Sequence, residues 1–223
     1  MFLYLRKNSF IMKKTFLFFL PLILFSGCID IVEEITINPD KSGTVTFSMD
    51  MGTLGGFAMN LGENYMQGTL LEQMKNLPET AAGILKNING LSNITSVTNK
   101  KGFYSISFNF KDPKDLNNAL YKLFDTKKPL FAPNYIRIKK HKIVKKNYAP
   151  VIKLFLKKYK DQIKDNSILK LINYKTVFNL PTEVKKISNK KSTLSANKKT
   201  LEFKCTIEDL LTTNVNIGNK IRY

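Results

Sequence analysis

The chain has 223 residues, 43% of them hydrophobic, enough for one domain with a core of its own. Two cysteines, Cys28 and Cys205, and a single histidine, His141, leave almost no room for a disulfide framework or a Cys/His zinc site. The net charge of +19 points to acidic partners, either nucleic acid or an anionic membrane surface.

Met12-Lys13-Lys14 is a charged opening, Phe16 to Phe25 is an apolar run interrupted by Pro21, and Ser26-Gly27 is a small pair before Cys28. This is the order of a secretory signal. The run is about half of the ~20 residues that a spanning helix needs. Met12 alone opens a normal signal, so either Met1 or Met12 serves as the start. A cysteine directly after the small pair resembles the bacterial lipobox, with Phe25 where leucine is usual. The resemblance implies that the Cys28 thiol carries a diacylglyceryl group and that residues 1–27 are removed as a signal peptide. The acyl chains then hold the protein on a membrane, each buried methylene contributing ~0.8 kcal/mol. A plain secretory signal with a chance cysteine is the other reading.

Behind Cys28, Ile31, Ile35 and Ile37 alternate with Val32, Glu34 and Thr36. A turn-rich stretch follows over Asn38 to Gly43, and Val45, Phe47, Met49 and Met51 then alternate with polar residues. The pattern predicts a hairpin of half-buried strands. The folded body therefore starts almost at the lipid. Gly52 to Leu77 has helical spacing weakened by five glycines, with a firmer helix over Thr69 to Leu77. Pro78 is expected to start a second, short helix reaching Asn87, because proline is tolerated in a first turn. Ile94 to Thr98 reads as a strand, and Tyr104, Ile106, Phe108 and Phe110 line one face of the next.

Asp112-Pro113 opens a helix with Leu116, Ala119, Leu120 and Leu123 as its apolar stripe. Tyr135 to Val144 reads as one very basic strand. Pro150 starts a helix reaching Lys164, with Val151, Leu154, Phe155 and Ile163 as its buried side. Tyr174 to Leu180, Lys185 to Ser188 and Lys199 to Ile207 read as strands, and Glu208 to Thr212 as a helical turn. Cys205 shares one strand face with Leu201, Phe203 and Ile207, which predicts a buried, inert thiol. The expected organisation is a single domain over residues 28–212 and a frayed tail over 213–223. Hairpins and helices without a regular βαβ alternation predict an α+β fold, an antiparallel sheet with helices packed on one face.

Several segments together resemble a family of bacterial lipoproteins common in Bacteroidota and similar to the LppM-type domain. They are Cys28 to Glu34, the Asp40-Lys41-Ser42-Gly43-Thr44 turn, Ser48 to Met51, Phe108 to Leu123, and Phe178 to Val184. The resemblance implies a lipid-anchored α+β domain of the cell envelope. It implies no enzyme, and it assigns a role to Cys28 alone.

Motifs for catalysis are mostly missing. No Gly-x-Ser-x-Gly and no phosphate-cradling loop occurs, and a single histidine does not make a two-histidine metal site. Asn38-x-Asp40-x-Ser42-Gly43 copies part of a calcium loop, but Met49 stands where a bidentate glutamate is needed. Glu33, Glu34, Asp40 and Asp50 gather around the first hairpin, and paired acids cleave glycosides. No cofactor is expected.

Charge is unevenly spread. Residues 28–100 carry a net −4 and residues 101–223 a net +19. Thirteen basic residues lie between Lys127 and Lys164 against Asp161 alone. Lys139, Lys140, Lys142, Lys145 and Lys146 from the basic strand, with Lys153, Lys157, Lys158, Lys160 and Lys164 from the helix after it, are the candidate anionic-surface residues. Behind a secretory signal, anionic headgroups are nearer partners than nucleic acid, and each cation near such a membrane contributes ~1 kcal/mol. A solvated lysine face is the competing account. The sequence thus favours a non-enzymatic lipoprotein anchored in the outer membrane through Cys28, which binds an anionic surface, a lipid or an envelope protein. The alternative is an envelope hydrolase that uses the hairpin carboxylates.

Overall fold

The computed structural model describes residues 29–52, 68–99, 102–123, 134–158 and 166–223. The chain opens with the expected hairpin, β1 (Ile29–Ile37) and β2 (Gly43–Asp50), paired antiparallel with Ile35 opposite Val45. Between them Asp40 Oδ1 accepts from the Ser42 amide at 3.0 Å, and Asn38 Nδ2 donates to Ser42 Oγ at 2.9 Å. The Asp40 carboxylate and the Ser42 hydroxyl are thus engaged within the turn. Gly43 sits where the strand re-enters, and a Cβ there would lie 2.1 Å from the Thr36 carbonyl oxygen and 2.7 Å from the Phe110 ring.

Helix α1 (Gly68–Leu85) follows, then β3 (Leu91–Thr98), β4 (Phe103–Phe110) and helix α2 (Pro113–Leu123). Contrary to the expectation of a second helix, Pro78 lies inside α1 and starts none. Pro78, Ala81, Ala82 and Leu85 are buried at i, i+3, i+4 and i+7, so one packed stripe spans the proline. Packing of that stripe on β3 and β4 offsets the hydrogen bond that proline removes. Helix α2 forms as expected: Asp112 Oδ1 caps the Lys114 amide at 2.7 Å, and Leu116, Ala119 and Leu120 are buried. The earlier part of the predicted 52–77 helix, residues 53–67, lies outside the described residues.

The basic segment is two short strands rather than one, β5 (Ile136–Lys139) and β6 (Lys142–Lys145), with Lys140-His141 at the turn. Ile136 and Ile138 face inward across from Lys145 and Ile143, and the hairpin folds back so that both rows reach the core. Helix α3 (Ala149–Lys158) follows, then a 3-10 turn (Asn166–Lys170) and β7 (Ile172–Asn179). Beyond them lie β8 (Lys186–Ile187), β9 (Thr193–Leu194), β10 (Thr200–Thr206), helix α4 (Ile207–Thr212) and β11 (Asn219–Arg222). The last of these overturns the frayed tail. β11 pairs with both β6 and β8, and Ile221 is fully buried, so hydrogen bonds and packing fix the end of the chain.

Two sheets result, a larger one in the order β3-β4-β2-β1-β7-β10-β9 and a smaller one in the order β5-β6-β11-β8. Among the described strands, all pairings are antiparallel except the central β1–β7 pair. The fold is α+β, as expected. The register lines up Phe108, Val45, Ile35, Phe178 and Leu201 as one buried row across five strands. α1 and α2 cover the β3–β4 side of this apolar face, and the smaller sheet meets the same face further along, an arrangement the sequence reading lacked. On the opposite face Thr44 donates to Asn109 at 2.8 Å, Thr46 and Ser107 lie 3.0 Å apart, and Asn179 donates to Glu34 at 2.6 Å.

Candidate functional site

One row along from the apolar row stand Ile106, Phe47, Glu33, Thr176 and Phe203. Glu33 is therefore on the core face of β1, in phase with Ile31, Ile35 and Ile37, and only 1% of its surface is exposed. β6 of the smaller sheet brings Lys145 onto it from above. Both side chains are essentially sealed from water, and Lys145 Nζ is ion-paired to Glu33 Oε2. The same oxygen accepts from the Tyr148 hydroxyl, from the Tyr174 hydroxyl at 2.7 Å and from Thr176 Oγ1 at 3.3 Å. Lys145 also donates to Thr176 Oγ1 at 2.8 Å and lies 4.8 Å from the centre of the Tyr148 ring, within cation–π range. Glu33 Oε1, by contrast, is buried with no hydrogen-bond partner among the described residues.

The electrostatics follow from this crowding. Burial by itself raises the Glu33 carboxyl, but the Lys145 charge and the converging donors outweigh it and hold Glu33 below the ordinary carboxylate value. Burial pulls the Lys145 ammonium below its ordinary value, opposed by Glu33. The tyrosine hydroxyls at 148 and 174 are pushed well up by burial and by the Glu33 charge, so they stay protonated as donors. Beside the cluster, Thr176, Phe178, Ser192, Leu201, Phe203, Ile217 and Asn219 line a cavity of about 10 Å³. That is room for about one water molecule and far below the volume of a ligand pocket. The cluster is built to join two sheets.

The sequence-predicted residues are distributed differently from expectation. Lys145 belongs to no surface: its position in phase with Ile143 turns it into the core. Lys139, Lys140, Lys146 and Lys157 are exposed, and Lys142 and Lys153 are half-buried. Cys28, Lys160, Lys164 and the Lys158 side chain lie outside the described residues. In α3, Leu154 was expected on the buried side and is 70% exposed, because Ala149, Val151, Ile152 and Leu156 take the inward positions. Phe155 and Ile163 of that expected stripe lie outside the described side chains.

The four hairpin carboxylates do not converge. Glu33 points to the core, Glu34 and Asp50 to the opposite face, and Asp40 sits in the turn. On that opposite face Asp30, which the sequence reading passed over, accepts from Lys175 and Asn173. Cys205 is half-buried rather than buried, opposite Tyr174. Burial and then the Asp209 charge push its thiol up to about 11, which fits an inert cysteine. Reading β1 as a strict period-2 strand would have found Glu33: a charge in the apolar phase marks a buried ion with a partner.

No protein-family model matches the chain, and no curated protein does. Among solved structures, the chain is similar to the folded domain of the LppM protein of Mycobacterium tuberculosis, determined by NMR. The identity is 10% and the TM-score 0.39, over 89% of this chain and 91% of that one, a likeness too distant to carry function across.

Proposed function

We propose that the protein is a lipid-anchored, non-enzymatic lipoprotein of the bacterial outer membrane, whose folded body rests on an anionic membrane surface. The observation that carries this reading is the position of β1 directly next to Cys28. β1 begins at Ile29, the residue after Cys28, and the Ile29 amide already donates to the Leu171 carbonyl at 3.1 Å. An acyl chain on Cys28 would leave the body no tether. The signal order before Cys28 and the exposed lysines of the β5–β6 hairpin and α3 support the same reading. The hydrolase alternative has less support, because Glu33 is sealed and the remaining hairpin acids lie apart from it.

The test is acylation. Metabolic labelling of the full chain with a fatty-acid analogue should mark the protein and mark Cys28→Ala no more than background. Equal labelling of the two would refute the anchor.

A further inference from the structure

The membrane-contact end of the body can be located, granted the anchored reading above. Consecutive Cα atoms are ~3.8 Å apart, so a lipid on Cys28 reaches the bilayer within one residue of Ile29. Whatever surrounds Ile29 therefore meets the bilayer first.

Leu171, whose carbonyl accepts from Ile29, is 56% exposed. It closes the 3-10 turn Asn166–Lys170, α4 packs on that turn, and α3 packs on α4. On α3, Pro150, Leu154 and Lys157 fall at i, i+4 and i+7 on one exposed strip. Leu154, at 70%, is the most exposed large apolar side chain among the described residues. Among the described residues, four acids at this end are engaged. Asp30 is held by Lys175, Asp209 caps α4 through Thr206, Asp50 accepts from the Gly52 amide, and Glu208 lies 3.7 Å from Lys170. Lys153 and Lys157 beside Leu154 are left facing outward or at the border of the strip.

We propose that this end is a bilayer-contact face: Leu154 and Leu171 enter the boundary between headgroups and acyl chains of an anionic membrane, and Lys153 and Lys157 lie among the headgroups. Burial of the leucines and the approach of the lysines to an anionic surface both favour this placement. The two leucines orient a body that the acyl chains alone would only tether. The opposite end is apolar as well, since Leu194 is 41% exposed, yet it lies across from Leu201, Phe178 and Ile35. Ile35 is six residues from Ile29, so Leu194 stands about 20 Å along the strands from the anchor.

The experiment uses the full acylated chain in a Cys205→Ala background, with Leu154→Cys, Leu171→Cys or Leu194→Cys carrying a fluorophore. Each is reconstituted into vesicles of phosphatidylglycerol and phosphatidylcholine that contain lipid-borne quenchers. Quenching at positions 154 and 171 should exceed that at 194 several-fold, and vesicles of phosphatidylcholine alone should lower the contrast. Equal quenching at all three positions in acylated, vesicle-bound protein would overturn the contact face while leaving the anchor intact. A chain recovered without acyl groups would overturn the anchored reading, and the contact face with it.

Discussion

Lys145→Met is the sharpest probe of the buried cluster. The substitution keeps most of the stem volume and deletes the ammonium that pairs with Glu33. Glu33, 1% exposed, then keeps only the hydroxyls of Tyr148, Tyr174 and Thr176. A buried carboxylate left without its cation costs ~3–5 kcal/mol. Its escape is to take up a proton. At pH 7, a carboxyl with an ordinary pKa of ~4.3 must be protonated across about 2.7 pH units, or ~3.7 kcal/mol, which sets a ceiling near the middle of that range. For a domain of this size each kcal/mol moves the midpoint by ~2–4 °C, so the variant should melt roughly 7–15 °C lower. Glu33→Leu combined with Lys145→Met removes both charges, and the Tyr148 and Tyr174 hydroxyls, 3.1 Å apart, can still satisfy each other. The double variant should recover ~2 kcal/mol or more relative to Lys145→Met alone. Urea unfolding of the purified wild type, the single and the double variant gives the comparison. A single variant within ~1 kcal/mol of wild type, or a double variant no better than the single, would show that the pair is not what the geometry says it is.

Acid should act on the same pair. Glu33 is held below its ordinary value in the fold, so its contribution is complete above the unfolded value of ~4.3 and is lost as the pH falls through the folded value. Stability of the wild type against pH should drop more steeply there than that of Glu33→Gln with Lys145→Met, and parallel curves would contradict the assignment. Gly43→Ala should destabilise the protein by ~1–3 kcal/mol, since its Cβ would meet the Thr36 carbonyl oxygen at 2.1 Å. An unchanged melting midpoint would mean that β1 and β2 shift freely. The Cys205 thiol, pushed up to about 11, should react with a maleimide slowly at pH 7 and faster as the pH rises, whereas fast labelling at neutral pH would place it in a different environment.

The hairpin β1–β2, strand β4, helix α2 and strand β10 were legible because each buries one face against polar residues on the other, and side-chain period alone reports that. Caps and turns were legible for the same local reason, as at Asp112 and over Asn38 to Gly43. What local pattern does not carry is who packs on whom. Pro78 breaks an isolated helix, and only the stripe buried on β3 and β4 lets α1 continue through it. A short strand such as β11 has no stability of its own, and it became fixed because β6 and β8 flank it. Lysines 142, 145 and 146 look alike in a charge run. Position 145 is buried because its strand phase meets a glutamate 112 residues earlier in the chain. The sequence by itself determined the apolar faces of β1, β2, β4, α2 and β10, because side-chain period is local, but not that of α3, where Leu154 is exposed. Only the tertiary structure decided which inward-facing charges would find each other, because an ion pair across two sheets exists only once both sheets are in place.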